Sequence, residues 1–252
     1  LYKEIIMIHP YTKFLQKASV SRSSSPWERP SILTKIWKAG DQDISDELKN
    51  KVTIITGASS GIGKELALEV ASRGAKVVLA SRNIFRLSLI EKEISRLGGT
   101  YMSVVTDVTE KSDCENLVDR TIKRFGKIDI LINNAGISMR ALFNELDISV
   151  FEKVLDTNFI GAVYCTKYAL PYILKQKGSL VAISSISGLT PLPARSAYVA
   201  SKYAMDGFFQ TIRLENKANG LHVLIVHPGF TSSNIRNFAL NEHGESQKNL
   251  LV

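Results

Sequence analysis

A serine, a tyrosine and a lysine stand close together in the stretch SSISGLTPLPARSAYVASK, residues 184–202, and the three types suit proton exchange with an alcohol or carbonyl oxygen. Tyr198 and Lys202 are four residues apart. On a helix such a pair shares a face, with Cβ atoms roughly 5–6 Å apart. A free phenol, with a pKa of about 10, is a poor base near neutrality, and a cation beside it favours phenolate and lowers that value. Ser185 reaches the same spot if the segment from Gly188 to Arg195 folds back. A hydroxyl donor next to a tunable phenol is a general acid–base device. A tyrosine and a lysine at this spacing can equally be a solvated surface pair, so the weight falls on what the rest of the chain supplies.

The elements that must hold these residues alternate between two periods. Residues 52–56 (VTIIT) read as a short buried strand, followed by GASSGIG and an apolar-periodic helix over 64–73. A strand over 75–83 contains Arg82, a helix spans 84–97, and a strand over 101–106 runs into Asp107 and Val108. A helix over 111–125 precedes a strand over 128–136 that ends in Asn133, Asn134, Ala135 and Gly136. A long amphipathic stretch at 149–175, a strand at 179–184, a helix at 197–217 and a strand at 221–229 complete the pattern. Strands alternating with helices of this size predict an α/β fold with a parallel sheet covered on both faces. Such sheets bind ligands at the carboxyl ends of their strands, where Gly57, Arg82, Asp107, Asn133 and Ser185 all fall.

Gly57, Gly61 and Gly63 permit close backbone approach, and the helix that follows offers free N–H groups to phosphate oxygens. Their GxxxGxG spacing is neither GxGxxG nor a Walker A loop, since Ala58 and Glu65 occupy positions the latter needs for Gly and Ser/Thr. At the end of the second strand, Ser81-Arg82-Asn83 carries no carboxylate to accept from a ribose 2′-OH. Arg82 offers a planar fork suited to a 2′-phosphate, and Ser59 or Ser60 can add a hydroxyl. NADP(H) is therefore the favoured nucleotide, with NAD(H) left open because Arg82 could instead stack on adenine.

The formal net charge is +8, but residues 1–40 carry seven Lys/Arg against Glu4 and Glu28, so +5 of it belongs to the N-terminal arm. That distribution argues against nucleic acid as the main partner. The apolar run from Ile5 to Ile8 is too short to span a bilayer. Residues 19–31 read as a linker, and the arm, basic and rich in serine, faintly resembles a transit peptide. We divide the chain into an extension at 1–49, with a short helix around 32–38 that could dock by Trp37, and a catalytic-type domain at 50–252. Cys114 and Cys165 form no metal spacing, and so few thiols suit a reducing, cytoplasmic setting. No metal site is expected.

TGASSGIG (56–63), NNAG (133–136), Asn158 in NFIG, Ser185, Tyr198-x-x-x-Lys202 and Pro228-Gly229 occur in an order that resembles the short-chain dehydrogenase/reductase family, its hydroxysteroid-dehydrogenase branch in particular. The resemblance covers residues 50–237. It implies a Rossmann-like doubly wound parallel sheet and hydride transfer between a nicotinamide nucleotide and a carbonyl or secondary alcohol, here a lipophilic small molecule. By the same resemblance Tyr198 is the acid/base, Lys202 lowers its pKa and holds the nicotinamide ribose, Ser185 steadies the substrate oxygen, and Asn158 helps hold a proton-relay water. Gly57, Ser59, Ser60, Gly61, Ile62 and Gly63 would approach the pyrophosphate. Asp107 and Val108 would bind adenine, and Asn133, Ala135 and Gly136 would support the cofactor. Pro228, Gly229 and Thr231 would meet the carboxamide end. A homodimer or homotetramer through 149–175 and 197–217 is implied as well.

Plainer roles stand beside these. Asn134 could only cap a strand end, His222 and His227 read as core or edge histidines, and Met205 to Phe209 as helix packing. Relatives continue beyond the Pro-Gly loop with a helix pair and a last strand, whereas residues 238–252 are short and polar, so the last strand is expected to be absent or shortened, leaving an open edge at 221–226. The rival readings are a catalytically idle NAD(P)-binding protein and a basic surface- or nucleic-acid-binding protein.

Overall fold

The computed structural model describes residues 47–229, 231, 235 and 238–246. The basic arm with its expected helix around Trp37, and the end of the chain from 247, lie outside the described residues.

Six strands form one parallel sheet in the order β3-β2-β1-β4-β5-β6. They are β1 (Val52–Thr56), β2 (Lys76–Ser81), β3 (Thr100–Val105), β4 (Ile130–Asn133), β5 (Ser179–Ile183) and β6 (His222–Val226). The chain winds outward from β1 to β3, then returns to pair β4 with the other side of β1, in register Thr53 with Ile130 and Ile55 with Ile132. That reversal makes the switch point at which such sheets bind ligands. β1 is buried along its whole length and β2 at Val77, Val78, Leu79 and Ala80, as helices on both faces require. Fully burying a Val, Leu or Ile side chain contributes about 1.5–3 kcal/mol.

The helices are α1 (Gly61–Ser72), α2 (Ile84–Arg96), α3 (Lys111–Phe125), α4 (Ile148–Leu155), α5 (Gly161–Lys175) and α6 (Ser196–Glu215). α2 begins where Asn83 Oδ1 accepts from the Arg86 N–H at 2.9 Å. α3 buries Cys114, Leu117, Val118 and Thr121, one stripe of a helix, and stops at Gly126 in the left-handed region. The amphipathic stretch predicted as one helix is two. A π-turn, Asp156–Ile160, joins α4 to α5 and inserts Asn158. Single π-turns inside α-helices are frequent at functional sites.

At the amino ends of the strands, buried Asp129 accepts from the Val52 N–H at 2.8 Å and pairs with Lys127 at 2.8 Å and Lys51 at 3.4 Å. This fastens β1 to the entry of β4, away from the cleft. At the opposite end, the polar tail does more than its composition suggests. Leu240 donates to Ser138 O at 2.9 Å and accepts from Arg140 N at 2.8 Å, and Glu242 O accepts from Asp147 N at 3.0 Å. Ala239 and Leu240 are buried, and Leu240 joins Met139, Val150, Val154 and Ala197 in a small core on which Tyr198 packs. Among the described residues the sheet ends at β6, whose Leu224 is 41% exposed. No described helix is long and apolar enough to cross a membrane.

Candidate active site

A cleft of about 650 Å³ runs along the carboxyl ends of the strands. Gly57, Ser59, Ser60, Gly61 and Ile62 line its floor, Arg82, Asp107 and Val108 one end, and Ser185, Tyr198, Lys202, Pro228, Gly229 and Thr231 the other, with Ala135 and Gly136 between. Gly63, Asn133 and Asn158, also singled out in the sequence, do not line it; each is buried behind the wall.

The floor is shaped by backbone geometry. Gly57 has φ +65°, and a Cβ there would lie 2.8 Å from Ala135 Cα. A Cβ on Gly63 would lie 2.4 Å from both Gly57 O and Asn134 Nδ2. The absence of a side chain at Gly63 therefore lets α1 pack on the turn. Asn134 donates to Thr56 O at 2.9 Å and Gly57 O at 3.2 Å, while Thr56 Oγ1 accepts from the Asn134 and Ala135 N–H groups at 3.0 Å. The strand-cap reading of Asn134 thus becomes a clamp between the two strands at the switch point. Asn133, beside it, donates to Thr166 Oγ1 at 3.2 Å and keeps a buried, unpartnered Oδ1.

At the adenosine end, Arg82 is 64% exposed and lies 3.5 Å from Asp107 Oδ2. Burial works to raise the Asp107 pKa, but the Thr109 N–H and hydroxyl and the Arg82 cation outweigh it and leave the carboxyl below its ordinary value. Ser81 donates to Ser59 at 2.8 Å, linking the end of β2 to the glycine turn.

At the other end, β5 delivers Ser185 and α6 delivers Tyr198 and Lys202. Ser185 starts a short 3₁₀ turn (Ile186–Gly188), its Oγ accepting from Ser187 N at 3.1 Å. The loop does fold back, and Ser185 lines the same cleft as the Tyr198 phenol and acts on its titration. Burial raises the Tyr198 pKa above its ordinary value, opposed by the Ser185 hydroxyl and the Arg195 charge. Lys202 is not among the groups that set this direction. Lys202, although one turn away, donates to Ile183 O at 2.8 Å and lies 5.7 Å from the centre of the Tyr198 ring. Burial lowers the Lys202 pKa to about 8, with the Asp206 carboxylate acting against the fall.

The Asn158 carboxamide is hydrogen-bonded within the fold. Its Oδ1 accepts from Ile137 N at 2.7 Å, and its Nδ2 donates to Ile137 O and to Ser201 Oγ, each at 2.9 Å. Sequence reasoning missed Arg195, which lines the cleft, donates to Ser138 Oγ at 2.8 Å and Met139 O at 2.7 Å, and acts on Tyr198. Its position three residues before the tyrosine was the available signal. Among the described residues no group of three or more His, Cys, Asp or Glu could hold a metal ion.

The cleft fits a dinucleotide: a glycine floor open to backbone contact, the N-terminus of α1, and walls at both ends of a cavity of the size that binds cofactors. The family described as short chain dehydrogenase matches residues 51–243. The chain belongs to that family, one of NAD(P)-dependent oxidoreductases. It is 43% identical over 193 residues to 11-beta-hydroxysteroid dehydrogenase 1A of Arabidopsis thaliana, covering 76% of this chain and 55% of the relative. It is 41% identical over 203 residues to 11-beta-hydroxysteroid dehydrogenase A of Sesamum indicum, covering 80% and 58%. The chain thus spans little more than half the length of these curated relatives. A short chain dehydrogenase/reductase from Burkholderia phymatum solved in complex with NAD superposes with a TM-score of 0.73 at 29% identity, over 75% of this chain and 69% of that one. A short-chain type dehydrogenase/reductase from Mycobacterium marinum gives the same score at 30% identity, over 77% of each chain.

Proposed function

We propose that this chain carries the catalytic domain of an NADP(H)-preferring oxidoreductase that interconverts a carbonyl and a secondary alcohol on a lipophilic small molecule. The observation that carries this reading is the meeting of Ser185, Tyr198 and Lys202 in the same cleft as the glycine floor. When bound, the nicotinamide nucleotide supplies or accepts the hydride. Gly57, Ser59, Ser60, Gly61 and Ile62 would hold its pyrophosphate, Asp107 and Val108 its adenine, and Pro228, Gly229 and Thr231 the carboxamide end.

Tyr198 gives its phenolic proton to the oxygen of a reduced carbonyl and takes it back from an alcohol. Ser185, in the same cleft as that phenol, orients the reacting oxygen and favours the phenolate. Lys202, an ammonium below pH about 8, extends from α6 to the end of β5 and would bind the nicotinamide ribose. NADP(H) preference rests on Arg82, on Ser59 and Ser81 beside it, and on the lack of a carboxylate ending β2. The lipophilic substrate is supported by half-exposed Ile186, Leu192 and Phe238 in the cleft wall, and by the names of the hydroxysteroid dehydrogenase relatives.

Association of like chains belongs to the same proposal, supported by half-buried Tyr164, Tyr168 and Tyr172 on α5 and exposed Tyr203 and Leu214 on α6. A monomer by light scattering at roughly tens of micromolar, where a ~1 μM dimer would be nearly saturated, would remove it. The function itself is tested by nucleotide consumption across ketones, steroids and secondary alcohols. NADPH binding without consumption of any of them would instead favour the idle nucleotide-binding reading.

A further inference from the structure

Both reactive strand ends meet on one buried side chain that lies outside the cleft. Asp206, 6% exposed, sits one helical turn beyond Lys202 on α6. Its Oδ1 accepts from Ser184 Oγ at 2.7 Å, and its Oδ2 lies 2.5 Å from His227 Nε2. Ser184 immediately precedes Ser185, and His227 immediately precedes Pro228 and Gly229. The backbone repeats the linkage, with Ser184 N donating to Val226 O at 2.8 Å and Ile186 N to Pro228 O at 3.1 Å. Space around the carboxylate is tight: a Cβ on Gly188 would lie 2.7 Å from Ser184 Oγ and 3.4 Å from Asp206 Oδ1. Among the described residues two carboxylates are buried, Asp129 at the far end of the sheet and Asp206 here.

We propose that Asp206 is a positioning residue: its one carboxylate fastens the ends of β5 and β6 to α6 and supplies the counter-charge that keeps Lys202 an ammonium. This rests on the reading of Ser185, Tyr198 and Lys202 given above. Burying a carboxylate is costly unless it is paired and hydrogen-bonded, and both oxygens here have partners. Beside Lys202 on its own helix stand Tyr198, whose ring centre is 5.7 Å from the ammonium, and Asp206 one turn on, itself paired with His227 from the end of β6. Asn158 of the π-turn, Gly136 after β4 and Ile183 to Ser185 at the end of β5 bring no charge, and Arg195 faces Tyr198. Asp206 is therefore the anion that offsets the burial of Lys202. The two residues are four apart on α6, a spacing that brings side chains together on one helix face.

The test uses the full chain and Asp206→Asn, which keeps the shape and an oxygen for Ser184 but removes the charge. The Lys202 titration is followed directly by carbon NMR of lysine Cε, assigned with Lys202→Met, so that it needs no nucleotide. Its midpoint is expected to fall by about one pH unit or more. A purely structural role would lower stability and leave that midpoint in place, and an unchanged midpoint overturns the counter-charge. His227→Gln keeps the Asp206 charge while disturbing the tie to β6. It should leave the midpoint unmoved and weaken NADPH binding about equally at every pH; unaltered NADPH affinity in this variant overturns the fastening even if Asp206→Asn fails to fold. A wild-type chain that binds no NADPH would overturn the proposed function, and the Lys202 comparison would still decide the role of Asp206.

Discussion

Lys202 donates to the Ile183 carbonyl at 2.8 Å, which anchors the ammonium to the end of β5 at the cost of burying the side chain. Its pKa is about 8 in the folded chain against 10.5 when exposed, so between these values the unfolded chain binds the extra proton. Stability from this group therefore rises with pH from about 8 to 10.5, and its burial penalty is full below about 8, on the order of 3 kcal/mol. Lys202→Met removes that titration along with the bond to Ile183. The stability of the variant relative to wild type should fall steadily across this window in urea unfolding, and a difference constant with pH would contradict it.

Tyr198 predicts a different limb. Its phenol is raised by burial and held back by Ser185 and Arg195. The ultraviolet difference between wild type and Tyr198→Phe should therefore titrate above 10.0, and Ser185→Ala should move it higher still. Alcohol oxidation needs the phenolate, and kcat/KM reports the free enzyme, so kcat/KM should keep rising through the ordinary tyrosine range. Tyr198→Phe itself should lose about 10²–10⁴-fold in turnover with nucleotide affinity nearly intact. Near-normal turnover would end the assignment of Tyr198.

For nucleotide choice, Arg82→Asp replaces the exposed cation at the end of β2 with a charge that repels a 2′-phosphate. Titration should show NADPH binding weakened far more than NADH binding. Equal losses would mean that Arg82 stacks on adenine.

The elements were legible in the sequence because buried parallel strands read as short β-branched runs and their helices as apolar stripes. β1 and α3 begin and end where the pattern puts them. The residues of the cleft were legible because the topology sends the carboxyl ends of all the strands to one edge. Four features were not. Gly63 carries the same residue type as Gly57, and only packing separates a glycine that lines the cleft from one buried behind its wall. The π-turn at Asn158 leaves the helical period almost unbroken. The Lys202 bond to Ile183 is tertiary, so spacing alone pointed the ammonium at the phenol. Asp206 reads as an ordinary polar residue on a helix until β5 and β6 close on it.

Asn158 allows two roles to be separated. Its carboxamide makes three hydrogen bonds, two to the Ile137 backbone and one to Ser201 Oγ, which in turn donates to Tyr198 O at 2.7 Å. Through these the π-turn holds the loop after β4 against the helix of Tyr198. Asn158→Ala leaves the Ile137 amide and carbonyl without their partner in a site that is fully buried at position 158. Each orphaned buried polar group costs about 1–3 kcal/mol, so with two of them the variant should lose roughly 2–6 kcal/mol in denaturant unfolding. The loop beyond Ile137 carries Ser138 and Met139, the acceptors of Arg195, so turnover should fall together with stability. Asn158→Ser, which can restore only part of the bonding, should recover only part of both. A residue acting chiefly through a relay water would behave otherwise, with turnover lost and stability kept. Unfolding curves of Asn158→Ala that overlay those of wild type, with activity abolished, would assign Asn158 to proton transfer and not to scaffolding.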